Sequence, residues 1–181
     1  VKNFDPEFWF ITDDSFLARP KNENFELCDL FKKYKIPWWC NTRLENIDEP
    51  ILRSMKESYC DRIQFGIECG NENYRQDVLQ RPIKDKVYLE KAKILNDSGI
   101  PYGLNAIIGL PGETREMVFG TIELIRQIEG YDGIGVSIFI PYRGTKLREY
   151  AVEKGWLDKN WISDSGYLLG GSALNMLKPY L

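Results

Sequence analysis

The sequence predicts a parallel α/β fold of five strand–helix units in succession. Three observations predict it. Short apolar runs of strand length alternate with segments of helical periodicity. Gly and Pro separate the two kinds of segment. The run Tyr102 to Ile108 lies between Gly99 and Gly109, then turns through Gly109-Leu-Pro-Gly112 into a helix that Thr114 can cap. A strand buried on both faces and followed by a covering helix is the repeat unit of a parallel sheet, either open or part of a barrel.

Each element follows in order. Phe8 to Thr12 is an apolar run ending in Asp13-Asp14, read as a strand. Phe25 to Lys35 reads as a helix, with Leu27, Leu30, Phe31 and Tyr34 at helical spacing. Pro37 to Arg43 is the next strand. Asp48 can cap a helix running to about Tyr59, with Pro50 in its first turn. Arg62 to Glu68 is a third strand, ended by Gly70, and Tyr74 to Leu79 a short helix. Asp85 to Asn96 is a helix striped by Tyr88, Ala92 and Leu95 and stopped by Gly99. The central strand follows, then a helix to about Ile128 whose apolar positions Val118, Ile122 and Ile125 share a face. Gly133 to Ile140 is a fifth strand, and Thr145 to Lys154 a last helix.

Composition narrows the function. At 181 residues and 43% hydrophobic the chain can build one sizeable core, and one domain is expected. A net charge of −3 argues against a broad nucleic-acid-binding face. No apolar run approaches the roughly 20 residues of a membrane helix, and the chain opens without a signal peptide, so a cytoplasmic setting is expected. There is no His, which removes Ser-His and Cys-His nucleophiles. Cys28, Cys40, Cys60 and Cys69 form no C-x-x-C pair and read as reduced and buried; no metal ligand is assigned.

The strands are two-sided. Ile63, Phe65 and Ile67 share one side of the third strand, while Gln64, Gly66 and Glu68 share the other. Asn41 with Arg43, Gly103 with Asn105, and Gly135 with Ser137 repeat the small or polar side on neighbouring strands. The apolar side can meet helices; the other is suited to a polar ligand. Polar residues also gather at strand C-termini: Asp13, Asp14, Arg43, Glu68 and Glu113. Ligands bind at that edge in parallel β/α proteins. Burying Glu68 needs a partner, for which Arg43 is a candidate. For Glu113 a plainer role stays open beside this one, favouring the positive end of the following helix.

Five stretches in order, Phe10 to Phe16, Trp38 to Arg43, Phe65 to Gly70, Ile107 to Thr114 and Pro141 to Thr145, together resemble the core of radical S-adenosylmethionine (SAM) enzymes. The branch they resemble is the cobalamin-binding one that includes anaerobic Mg-protoporphyrin ester cyclases. The resemblance spans residues 8 to about 158. It implies a partial (β/α)6 barrel of the TIM type, with residues 1–158 as the core and 159–181 as a C-terminal extension. It also implies a [4Fe-4S] cluster that reduces SAM to methionine and a 5′-deoxyadenosyl radical. Carried over residue by residue, Asp13 and Asp14 would hold the methionine amino group, and Arg43 its carboxylate. Glu68 would accept from the ribose hydroxyls. Asn105, Ile107 and Gly109 would lie against adenine or ribose, with Ile140, Pro141 and Tyr142 at the adenine edge.

The chain departs from that family in one respect. The three-cysteine cluster motif C-x-x-x-C-x-x-C and the first family strand are not in it. The expectation is therefore a chain that starts inside the domain and belongs to a parent acting on a small-molecule substrate. By itself it would hold no cluster and bind no cofactor tightly; a cobalamin domain, if the parent has one, would precede it. An open strand edge would favour self-association. Two other readings stay open. One is a β/α enzyme binding a phosphorylated metabolite at Gly109 to Thr114. The other is a non-catalytic, degenerate binding module. A tRNA-modifying role is disfavoured by the acidic balance.

Overall fold

The computed structural model describes residues 5–162 and 172–176. Five strands form one sheet in sequential order: β1 (Trp9–Ile11), β2 (Trp38–Thr42), β3 (Cys60–Glu68), β4 (Tyr102–Ile108) and β5 (Gly133–Ile138). β1 pairs parallel with β2, and β2 parallel with β3, where the register shifts between Trp38 and Trp39. Between the strands run α1 (Lys21–Tyr34), α2 (Glu49–Glu57), α3 (Glu72–Asp77), α4 (Asp85–Ser98), α5 (Arg115–Gln127) and α6 (Lys146–Glu153). The strand–helix alternation is thus the one the sequence predicts. Sequential parallel order follows from crossover helices that return each strand beside the last.

The caps explain most boundaries. The Asp48 side chain accepts from Ile51 N–H at the start of α2, and Thr145 does the same for Arg148 at α6. Gly99 closes α4 in the left-handed conformation. One start differs from expectation. α1 begins at Lys21, not Phe25, because Pro20 precedes it and the buried Asn24 is an early helical residue, its amide donating to Arg19 O at 3.3 Å. The polar run 21–24 hides that turn from a pattern search.

The chain separates into two compact units. The first takes Val1–Ile67, Lys84–Asn105 and Gln127–Gly135. In it Trp38, Cys40, Ile63, Phe65, Ile67 and Leu104 are buried, as are Ile51, Leu52 and Met55 of α2 and Tyr88, Ala92 and Leu95 of α4. Each such large side chain contributes about 1.5–3 kcal/mol on burial. The alternation of β3 behaves as predicted: Ile63, Phe65 and Ile67 are buried and Gln64 and Gly66 are not fully so. The Trp38 indole N–H donates to Ser58 O at 2.7 Å, satisfying the polar atom of the largest core ring.

The second unit takes Glu68–Ile83, Ala106–Arg126 and Val136–Leu181. Its core gathers Cys69, Tyr74, Leu110, Phe139, Ala151, Leu157 and Leu174. Here α5 corrects the sequence reading. Thr121, Leu124 and Ile125 are its buried residues, while Phe119 and Ile122 are exposed. Thr121 takes an inward position because its hydroxyl bonds Met117 O at 3.0 Å and Gly70 N–H at 2.7 Å. β5 is a second correction. The apolar side of the strands was read as able to meet helices, yet on β5 Val136 is 56% exposed and Ile134 is exposed as well. Most of the tail from Trp156, for which the sequence showed no period, lies outside the described residues.

Candidate functional site

In the second unit the polar groups are built on strand ends. Glu68 is the last residue of β3 and has φ +64°. A left-handed non-glycine residue costs of order 1–3 kcal/mol and persists only where its surroundings impose it. The Glu68 carboxylate accepts from Arg81 Nη1 at 2.9 Å. Arg43, the candidate cation, lies in the first unit with its side chain about half exposed and Glu45 3.9 Å away. Arg81 was missed. Its place is set by tertiary bonds, including its own N–H to Arg75 O at 2.7 Å, and no local pattern ties 68 to 81. The turn after Glu68 admits only glycine at position 70. A Cβ there would stand 2.4 Å from Gly120 O and Thr121 Cα.

The Gly109 turn is braced from within. Gly109 and Gly112 have φ +74° and +79° around Pro111. Glu113 folds back into the turn and does not serve the helix end, one of the two roles left open for it. Its Oε2 accepts from Gly109 N–H at 2.6 Å, and its own N–H donates to Leu110 O at 3.0 Å. Glu113 is only 3% exposed, and its Oε1 has no hydrogen-bond partner. Burial pushes its carboxyl above the usual range, against the pull of the Gly109 and Leu110 N–H groups. Tyr74 O–H donates to Pro111 O at 2.7 Å. With Gly109 N–H taken by Glu113 and Gly112 N–H by Met176 Sδ, the turn has little left for a phosphate.

Ile107 packs against the core of this unit and Gly109 is buried. Phe139 N–H donates to Ile108 O at 2.9 Å, so Ile140 follows directly beside the end of β4. Pro141 is buried, its carbonyl accepting from Arg148 at 2.9 Å, and Tyr142 is exposed. Arg148 was also missed: buried, it grips the carbonyls of Pro141, Lys159 and Trp161. A guanidinium has five donors, enough to satisfy a loop with no strand ladder.

In the first unit the loops after β1 and β2 are joined. Arg43 N–H donates to Ser15 Oγ at 3.2 Å, next to Asp13 and Asp14. Asp13 is ion-paired with Arg19, whereas Asp14 is exposed. Asn105 accepts from Gln64 Nε2 at 2.8 Å, and Gln64 stands opposite Asn41 in the strand register. A Cβ on Gly135 would come within 2.7 Å of Asn105 Oδ1, so that glycine makes room for the amide. The polar side is therefore as predicted at Gln64 and Asn105. It also carries an aromatic pair the prediction omitted: Phe10 and Trp39, paired in register with ring centroids 4.6 Å apart.

The cysteines do not suit iron. All four are free and buried, and burial pushes each thiol upward, away from the thiolate a cluster needs. Among the described residues no group of three or more His, Cys, Asp and Glu could hold a metal ion. Nor, among them, is any helix long and apolar enough to cross a membrane.

The sequence model of one family, the radical SAM superfamily, matches residues 2–125. An uncharacterized methyltransferase of Pyrococcus horikoshii is 28% identical over 156 residues, covering 86% of this chain and 34% of that protein. A tRNA-2-methylthio-N(6)-dimethylallyladenosine synthase of a Sulfurihydrogenibium species is 28% identical over 104 residues, covering 55% of this chain and 23% of that protein. Among solved structures, the radical SAM methyltransferase TsrM of Kitasatospora setae, with cobalamin and a [4Fe-4S] cluster bound, superposes with a TM-score of 0.68. It does so at 15% identity, covering 82% of this chain and 29% of TsrM. The chain thus spans about a third of the length of the methyltransferase it matches.

Proposed function

We propose that this chain, which belongs to the radical SAM superfamily, is the SAM-binding portion of a methyltransferase-type enzyme acting on a small-molecule substrate. Its five parallel strands alternating with helices match the fold of the superfamily's solved structures. Members of the superfamily use SAM and a [4Fe-4S] cluster, and the curated relatives are enzymes that transfer methyl or methylthio groups. The observation that carries the reading is Glu68, a carboxylate at a strand's C-terminal end held by Arg81 in a strained conformation.

In this reading Glu68 accepts from the ribose diol, since a carboxylate suits two adjacent hydroxyls. Ile107, Gly109, Ile140 and Pro141 offer apolar surface to adenine, with Tyr142 at its edge. The donor set of the first unit suits an amino acid: Asp13 and Asp14 for its ammonium, Arg43 for its carboxylate, Asn105 for a polar edge. The cluster supplies an electron in the family; none of the four cysteines here fits it, and no step is assigned to them. Cobalamin is part of the proposal, supported by the likeness to the Kitasatospora fold. A cyclase-like reaction is a finer proposal, resting on the motifs alone.

The test is binding of S-adenosylhomocysteine to the complete protein that carries this chain, compared with Glu68→Gln. Loss of a charged hydrogen bond of about 1.5–3 kcal/mol predicts affinity about ten- to a hundredfold weaker. Unchanged affinity would remove Glu68 from the site.

A further inference from the structure

Arg75 is a fully buried cation, 0% exposed. Its guanidinium bonds backbone carbonyls on both sides of α3. Nη1 donates to Cys69 O at 2.7 Å, while Nε and Nη2 donate to Ile83 O at 3.2 and 3.0 Å. Its own carbonyl accepts from Arg81 N–H at 2.7 Å, and Arg81 in turn meets the Glu68 carboxylate. The Arg75 side chain therefore grips the backbone on both sides of the ion pair, at Cys69 next to Glu68 and at Ile83 two residues past Arg81, while its main-chain carbonyl takes the Arg81 N–H. On the far side of the same turn, Gly70 N–H is held by Thr121. A buried cation is a costly way to secure a loop that sequence-local turn residues could close. Its use here is explained by what it secures, a left-handed Glu68 that relaxes once released.

We propose that Arg75 is a positioning residue for ligand recognition. By fixing the Cys69 carbonyl on one side and the Ile83 carbonyl on the other, its guanidinium holds the Glu68 carboxylate and the segment bearing Arg81 in the orientation that reads a vicinal diol. The proposal rests on the reading of Glu68 as the ribose acceptor. Arg75 does not touch the ligand. Its effect should appear only on the part of the ligand Glu68 contacts.

The test compares S-adenosylhomocysteine with its 2′,3′-dideoxyribose analogue, which offers Glu68 no hydroxyl, by calorimetry on the complete protein. Wild type should prefer the ribose form about tenfold. Arg75→Lys should narrow that preference to about threefold or less, leaving affinity for the dideoxy analogue within about twofold. Should Arg75→Lys lose its cooperative melt, Thr121→Val frees the same turn from its other anchor and should give the same narrowing. An equal loss for both ligands would make Arg75 merely structural and overturn the proposal. So would a preference abolished by Glu68→Gln yet intact in the turn variants. A wild type with no preference removes the Glu68 reading itself, and the Arg75 proposal with it.

Discussion

Glu113→Gln offers a direct measure of what holds the Gly109 turn. In the folded chain one carboxylate oxygen takes Gly109 N–H at 2.6 Å, while the other is buried without a partner. Burial raises the folded carboxyl above its ordinary value of 4.5. The folded state then binds the proton more tightly than the unfolded state, so stability falls as pH rises. Well below pH 4.5 both states are protonated and the buried charge is absent. The loss begins near that value and is complete once pH passes the folded one. Gln keeps an oxygen for Gly109 and does not titrate. The stability difference, wild type minus variant, should therefore drop by about 1–3 kcal/mol between pH 4 and 8, the cost of an unsatisfied buried polar atom. Urea midpoints at five pH values measure it, and the subtraction cancels the other titrating groups. A difference that is flat with pH, or that rises, would refute the reasoning. Glu113→Ala gives a control: it strands Gly109 N–H, so it should be about 1–3 kcal/mol less stable than Glu113→Gln at every pH.

Two further substitutions test the packing. Gly70→Ala would place a methyl group 2.4 Å from the α5 backbone. Neither backbone can yield cheaply, so a loss of about 2 kcal/mol or more is expected by denaturant titration; a loss below half that would mean the turn is looser than described. Asp48→Ala removes the cap that accepts Ile51 N–H at 3.0 Å. It should lower stability by about 1 kcal/mol, and Asp48→Asn should restore most of it.

The polar side of the sheet was legible in sequence because strand alternation has a fixed period of two residues: Gln64, Asn105 and Gly135 fell on it from position alone. Phe10 and Trp39 obey the same period, but they were read as strand formers and not as members of that face. Glu68 was legible as a strand-end carboxylate, its partner was not. Thirteen residues and a helix separate it from Arg81, and no propensity reports a pairing at that distance.

By itself the sequence determined the order of strands and helices, the capped ends at Asp48 and Gly99, and the family. These depend on neighbours within a few residues, or on motifs that are local strings. Tertiary structure alone decided which side chain satisfies which buried group. Arg75 and Arg148 look in sequence like ordinary helix-surface cations, yet each is buried on backbone carbonyls left over by loops. A loop's unpaired carbonyls exist only once the loop has folded, so the demand that draws an arginine inward is not written beside it.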